Sequence, residues 1–145
     1  MSKINAIRLI NLNYNHNGIR VDDEVLYLNG ESTLLSLRNG GGKSVLVQML
    51  IAPFVHKRYR DANRRKFSSY FTTNKPTFIL VEWQLDNNMG YVLTGMMVRK
   101  SQEIRDDQAN DDLDIIQFVH EYRSGNPYDI YNIPFVNTTD DEKKL

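Results

Sequence analysis

The chain contains no cysteine, which excludes disulfides and thiolate metal ligands and fits a cytoplasmic location. Proline is scarce, four in 145 residues, so little of the chain is barred from regular structure. No apolar run approaches the roughly 18 residues that cross a bilayer as a helix, and no membrane partner is expected. The start, Met1-Ser2-Lys3-Ile4-Asn5, lacks the unbroken apolar stretch of a signal peptide. His16, His56 and His120 lie far apart, without ligand spacing to Asp or Glu, which argues against a metal centre and against a Ser/His/Asp grouping.

Net charge is also zero, but it hides an asymmetry. Residues 1–100 hold 14 Lys/Arg against 7 Asp/Glu, and residues 101–145 hold 4 against 11. A basic body suits a polyanion such as a nucleotide or nucleic acid, and the acidic remainder reads as solvated surface or a partner site. The length suits one domain with a proper core.

Branched apolar residues at 4–12 predict a first strand, and the polar residues 11–18 a loop. A short strand at 25–28 ends at Asn29-Gly30, a hairpin-turn dipeptide. Residues 33–37 then read as a short buried strand. Val47, Leu50, Ile51 and Phe54 fall on one face of a helix, which Pro53 either kinks or restarts. Residues 77–85 and 91–99 are strands of a hairpin turning at Asp86-Asn87-Asn88-Met89-Gly90. Residues 101–114 form an exposed acidic connection, and 115–122 suit either a strand or a helix. Gly125-Asn126-Pro127 is a turn, and residues 138–145 read as unstructured. The expected fold class is α/β, an antiparallel β-subdomain joined to a phosphate-loop strand and helix. Residues 1–100 would be the nucleotide-binding lobe, and 101–145 a connection and C-terminal segment packing on it.

The chemistry concentrates at Asn39-Gly40-Gly41-Gly42-Lys43-Ser44, between the predicted strand and helix. Glycines let backbone N–H groups converge on phosphates without Cβ interference. The helix N-terminus adds unpaired donors and the positive end of its dipole. Lys43 would bridge the β- and γ-phosphates, and the Ser44 hydroxyl would hold Mg²⁺. The bland alternative is a glycine-rich hairpin turn that precedes Lys-Ser. The general phosphate-loop pattern wants glycine at position 37, where this chain has Leu37, and Arg38 stands beside it as a compensating contact. The predicted cofactor-binding set is Arg38, Asn39, Gly40, Gly41, Gly42, Lys43, Ser44 and Val45, with ATP and Mg as ligands.

These residues resemble the N-G-x-G-K-[ST] loop of structural-maintenance-of-chromosomes (SMC) ATPases. The order of elements over residues 3–100 resembles the N-terminal head lobe of MukB-like and Wadjet JetC-like proteins. The resemblance implies an ABC-type ATPase head split between the two ends of a long chain and separated by a coiled coil. It implies that a C-terminal half supplies the Walker B carboxylates and the signature motif. Two heads, in a homodimer of the full protein, then sandwich ATP and act on DNA. This chain has no coiled coil and no Ser-Gly-Gly signature, so it would be half a head, binding nucleotide but hydrolysing it poorly alone. The resemblance leaves open chromosome organisation, repair or defence against foreign DNA.

Other residues admit two readings each. Glu82 or Asp86, after the apolar run 78–81, would hold magnesium in a Walker B strand. A run leading into a hairpin turn favours a structural role instead. Gln84 is open as a magnesium-sensing glutamine. Lys57, Arg58, Arg60, Arg64, Arg65 and Lys66, opposed only by Asp61 and interleaved with Tyr59 and Phe67, read as a DNA or nucleotide contact or as a solvated helix end. Tyr14 and His16 stand as an adenine contact or as a surface loop. Tyr122, Tyr128 and Tyr131 are expected to join Ile130 and Ile133 in a small apolar cluster.

Overall fold

β1 (Lys3–Tyr14) alternates in the two-residue period of a strand, so Ile7 and Leu9 enter one core and Ala6 and Ile10 the other. Asn11, at φ 54°, breaks the alternation, and Leu12 beyond it joins the core of Ile7 and Leu9. The computed structural model describes residues 1–14, 19–36, 43–61, 66–71, 75–101, 113–135, 137–139 and 142–144. The loop expected from residue 11 is corrected: β1 runs on to Tyr14 and pairs antiparallel with β2 (Ile19–Tyr27), including Leu12 with Val21 and Asn13 with Arg20. Cross-strand pairing outweighs the weak strand propensity of Asn here.

Asn29 and Gly30 make the expected turn, both at positive φ, but it joins no two strands of a hairpin. Instead the N–H groups of Leu28 and Asn29 donate to the Asn5 carbonyl, and that of Gly30 to the Ile4 carbonyl. The strand expected at 33–37 is corrected in its described part. Residues 33–36 belong to no strand, and Leu34 is 92% exposed. Residues 33–36 pair with no strand of the sheet, in which β1 is flanked by β2 and the third strand.

α1 (Lys43–Ile51) follows, continued by a 3₁₀ turn at Ala52–Phe54 with Pro53 in its first turn. Its buried face is Val45, Gln48, Met49 and Ala52, whereas Val47, Ile51 and Phe54 are exposed. The predicted face is therefore wrong. The helix is apolar nearly all round, so periodicity alone could not choose its inner side. Val45, Met49 and Ala52 pack on Ile7, Leu9, Ile79, Met96 and Val98, with Phe67, Tyr70 and Phe71 from a second short segment.

β3 (Thr77–Gln84) and β4 (Tyr91–Lys100) form the expected hairpin, and Asn87, Asn88 and Gly90 supply the positive φ angles of its turn. β5 (Leu113–Tyr122) is a strand. All pairs are antiparallel, in the order β2-β1-β3-β4-β5. Gly95 on β4 leaves room for the Phe118 ring of β5, which lies where a Cβ would sit. Trp83 donates from Nε1 to Thr94 Oγ1 at 3.1 Å, and the Phe54 ring meets it edge-on at 5.4 Å between centroids.

The second sheet face is covered by residues 126–135. Ile130, with Ile133 and Phe135 beside it, joins Ala6, Ile10, Leu80, Leu93 and Tyr122. Phe135 stacks on Phe78 at 4.2 Å. Tyr128 and Tyr131, expected in this cluster, are exposed. The tail is also corrected: β6 (Asn137–Thr139) and β7 (Glu142–Lys144) pair as a separate two-stranded ribbon.

The α/β class and an antiparallel β unit beside one helix thus hold. Among the described residues, the strand expected to lead into the glycine loop does not form.

Candidate functional site

Lys43 and Ser44 open α1, and both side chains are exposed. The first four N–H groups of a helix lack intrahelical partners, and no acidic residue in this first turn competes for them. Val45 is different. Its side chain is buried in the core, which leaves only its backbone N–H for a ligand. Arg38, Asn39, Gly40, Gly41 and Gly42 lie outside the described residues, as does Leu37.

The helix that carries these donors is braced. The buried Gln48 accepts from the Tyr70 hydroxyl at 2.9 Å and donates to the Arg60 carbonyl at 2.7 Å. Arg60 in turn donates from Nε to the Ala52 carbonyl at 3.1 Å, beyond the helix C-terminus where cations are favoured. Burial lowers the Arg60 pKa from its ordinary value.

The basic segment forms a cleft of ≈ 250 Å³ lined by His56, Lys57, Arg58, Arg60, Asp61 and Phe67, with Leu113 and Ile115 of β5. Arg58 lies over the Tyr59 ring at 4.6 Å. Asp61, exposed at the cleft, accepts from the Phe67 N–H at 2.8 Å. Lys66 is exposed beside Phe67. Arg64 and Arg65 lie outside the described residues. The cleft stands at the C-terminal end of α1 and Lys43-Ser44 at the other, about 14 Å apart along a nine-residue helix. Arg60 holds the fold together, and Arg58 and Lys57 are the other cations that line this cleft.

Glu82 is only 3% exposed and faces the other side of the sheet. It accepts from Asn5 Nδ2 at 2.6 Å and from the Tyr122 hydroxyl, and the Tyr122 oxygen accepts from the Ile130 N–H at 3.0 Å. A bulge in β1 between Ile4 and Ala6 aims Asn5 at this carboxylate. Burial, then the hydrogen bond and charge of Glu82, raise the Tyr122 pKa well above the tyrosine range. Burial, then the Glu82 charge, also raise that of Tyr131. The sheet separates Glu82 from α1, so it cannot share a metal ion with Ser44. Gln84, two residues on along β3, shares that far face. Asp86 lies in the exposed hairpin turn. Of the adenine-contact residues, His16 lies outside the described residues, and only the backbone of Tyr14 is described, at the end of β1.

Sequence reasoning missed Arg8. Its guanidinium is buried, donates to both Asp23 oxygens at 2.8 and 2.9 Å, and reaches the carbonyls of Ile130, Tyr131 and Ile133. The signal was there: one arginine inside Ala6-Ile7-Arg8-Leu9-Ile10 demands buried partners.

No protein-family model, curated protein or solved structure matches the chain. Among the described residues, no helix is long and apolar enough to cross a membrane.

Proposed function

We propose that the chain is the ATP-binding N-terminal half of an SMC-like ATPase head. The observation that carries this reading is Lys43-Ser44 at the exposed first turn of a helix fixed to the sheet by Val45, Gln48 and Met49. An exposed ammonium, an exposed hydroxyl and the N–H groups of that turn, which have no intrahelical partners, suit a triphosphate and its Mg²⁺. Bound there, Mg²⁺ would neutralise charge developing on the phosphates. Lys43 would hold the β- and γ-phosphates, Ser44 the metal, and Asn39 through Gly42 would add backbone donors.

Hydrolysis needs a carboxylate close to the γ-phosphate, and Glu82 stands on the wrong side of the sheet. That supports a head completed by a C-terminal half and a second head, in a cytoplasmic protein that acts on DNA. Calorimetry of Mg-ATP binding tests the reading. Saturable binding that Lys43→Ala abolishes is expected. Absence of binding in the full-length protein, with its C-terminal half, would overturn it.

The basic cleft favours a second reading, a nucleic-acid module with a non-catalytic glycine loop. In that case Lys57→Ala and Arg58→Ala weaken DNA binding and flatten its salt dependence, while Lys43→Ala leaves ligand binding unchanged.

A further inference from the structure

The sheet has two edges of different character. β2 carries Asp22, Asp23 and Glu24 in its middle, and Asp23 turns inward to Arg8. Charges placed so guard an edge against pairing. β5 has no such guard. Its charged residues are near its ends, at Asp114 and Glu121, and the centre from Ile115 to His120 is uncharged apart from the imidazole. Ile116 is 58% exposed and Val119 71%. Among the described residues, no strand or turn pairs with its outer edge. Ten residues of open, largely β-branched and aromatic strand are a template for another strand.

We infer that the β5 edge binds a second copy of this chain, strand to strand and antiparallel, about a two-fold axis through Gln117. The register follows from chemistry. A two-fold axis perpendicular to a sheet keeps like faces together, so each pairing must centre on a residue. Centred on Gln117, Ile115 meets Val119, Ile116 meets Phe118 and Asp114 meets His120, each pair occurring twice. Asp114 already accepts from Arg99 at 3.3 Å, which fixes it for this contact. His120 is half-buried beside the Tyr122 ring, at 5.1 Å between centroids, and is the polar residue that this register sets opposite Asp114. Centring on Phe118 instead sets Ile115 against Glu121 and Asp114 against Tyr122. Centring on Ile116 sets Asp114 against Phe118 and Ile115 against Gln117. Centred on Gln117, the strand opposes apolar and polar side chains in one kind of pair, Leu113 with Glu121, whereas each alternative does so in at least two, so the Gln117 register is preferred. The product is one continuous ten-stranded sheet. One strand pair makes a small interface, so association is expected at micromolar rather than nanomolar concentration.

The absence of cysteine makes the test clean. Gln117→Cys places two thiols opposite one another, with Cα atoms ~5 Å apart, within disulfide reach. Ile116→Cys places its two thiols two residues out of step, ~8 Å apart and beyond reach. Under mild oxidation Gln117→Cys should form a covalent dimer at least about tenfold faster than Ile116→Cys or Glu24→Cys on the other edge. Val119→Lys, a change at an exposed side chain that leaves the fold intact, should turn the sedimentation of the otherwise unmodified chain from concentration-dependent to monomeric. A Gln117→Cys chain that stays monomeric, or equal crosslinking at all three positions, would overturn the inference.

Discussion

Glu82 draws two donors from different parts of the chain, Asn5 in the first strand and Tyr122 in the fifth, and through Tyr122 it also fixes the Ile130 N–H. A carboxylate so placed is a structural clamp. Glu82→Gln exchanges one acceptor oxygen for a donor that faces another donor, and the loss is about 1–3 kcal/mol of folding stability. Denaturant unfolding should show that loss while nucleotide affinity stays at the wild-type value. Unchanged stability with altered nucleotide handling would return Glu82 to the list of chemical residues. The glycine loop stands out in the sequence because a motif is a local pattern, although its residues before Lys43 lie outside the described residues. The clamp does not, because its partners are 77 and 40 residues away.

Among the elements, the β3–β4 hairpin was legible because turn residues and alternation agree over a short span. β5 was ambiguous because Leu-Asp-Ile-Ile-Gln-Phe-Val-His-Glu-Tyr fits no single period cleanly, and only its pairing with β4 decides the matter. The face of α1 was misplaced because the inner side of a helix apolar nearly all round depends on which surfaces other segments occupy. The β4–β5 pair has its own vulnerable point. A methyl group at position 95 would fall 2.1 Å from the Phe118 ring, which also leans on Phe135 at 5.9 Å. Gly95→Ala should therefore cost about 1–3 kcal/mol through forced repacking, read from denaturant midpoints, and Phe118→Leu should relieve part of it.

At the scale of the whole molecule, one sheet separates two cores, one roofed by α1 and the other by residues 126–135. The second roof has little regular structure and hangs on Arg8, whose fork joins Asp23 of β2 to three carbonyls of that segment. Arg8→Lys keeps the charge but not the planar fork. It should cost about 1.5–3 kcal/mol and speed hydrogen exchange at residues 130–133, while exchange in β3 and β4 changes little. Equal acceleration throughout the sheet would mean that Arg8 supports the fold as a whole rather than this roof.

The chain's only tryptophan sits where the α1 side of the molecule meets the sheet. Trp83 is tied to Thr94 on one side and touched edge-on by Phe54, which ends the turn continuing α1. The protein thus carries an intrinsic optical gauge. Because no other indole contributes, its emission tracks a single joint, and any event at Lys43-Ser44 that tilts the helix is transmitted along a rigid nine-residue lever to that joint. On the proposed function, nucleotide occupancy would be readable by fluorescence in the unlabelled chain.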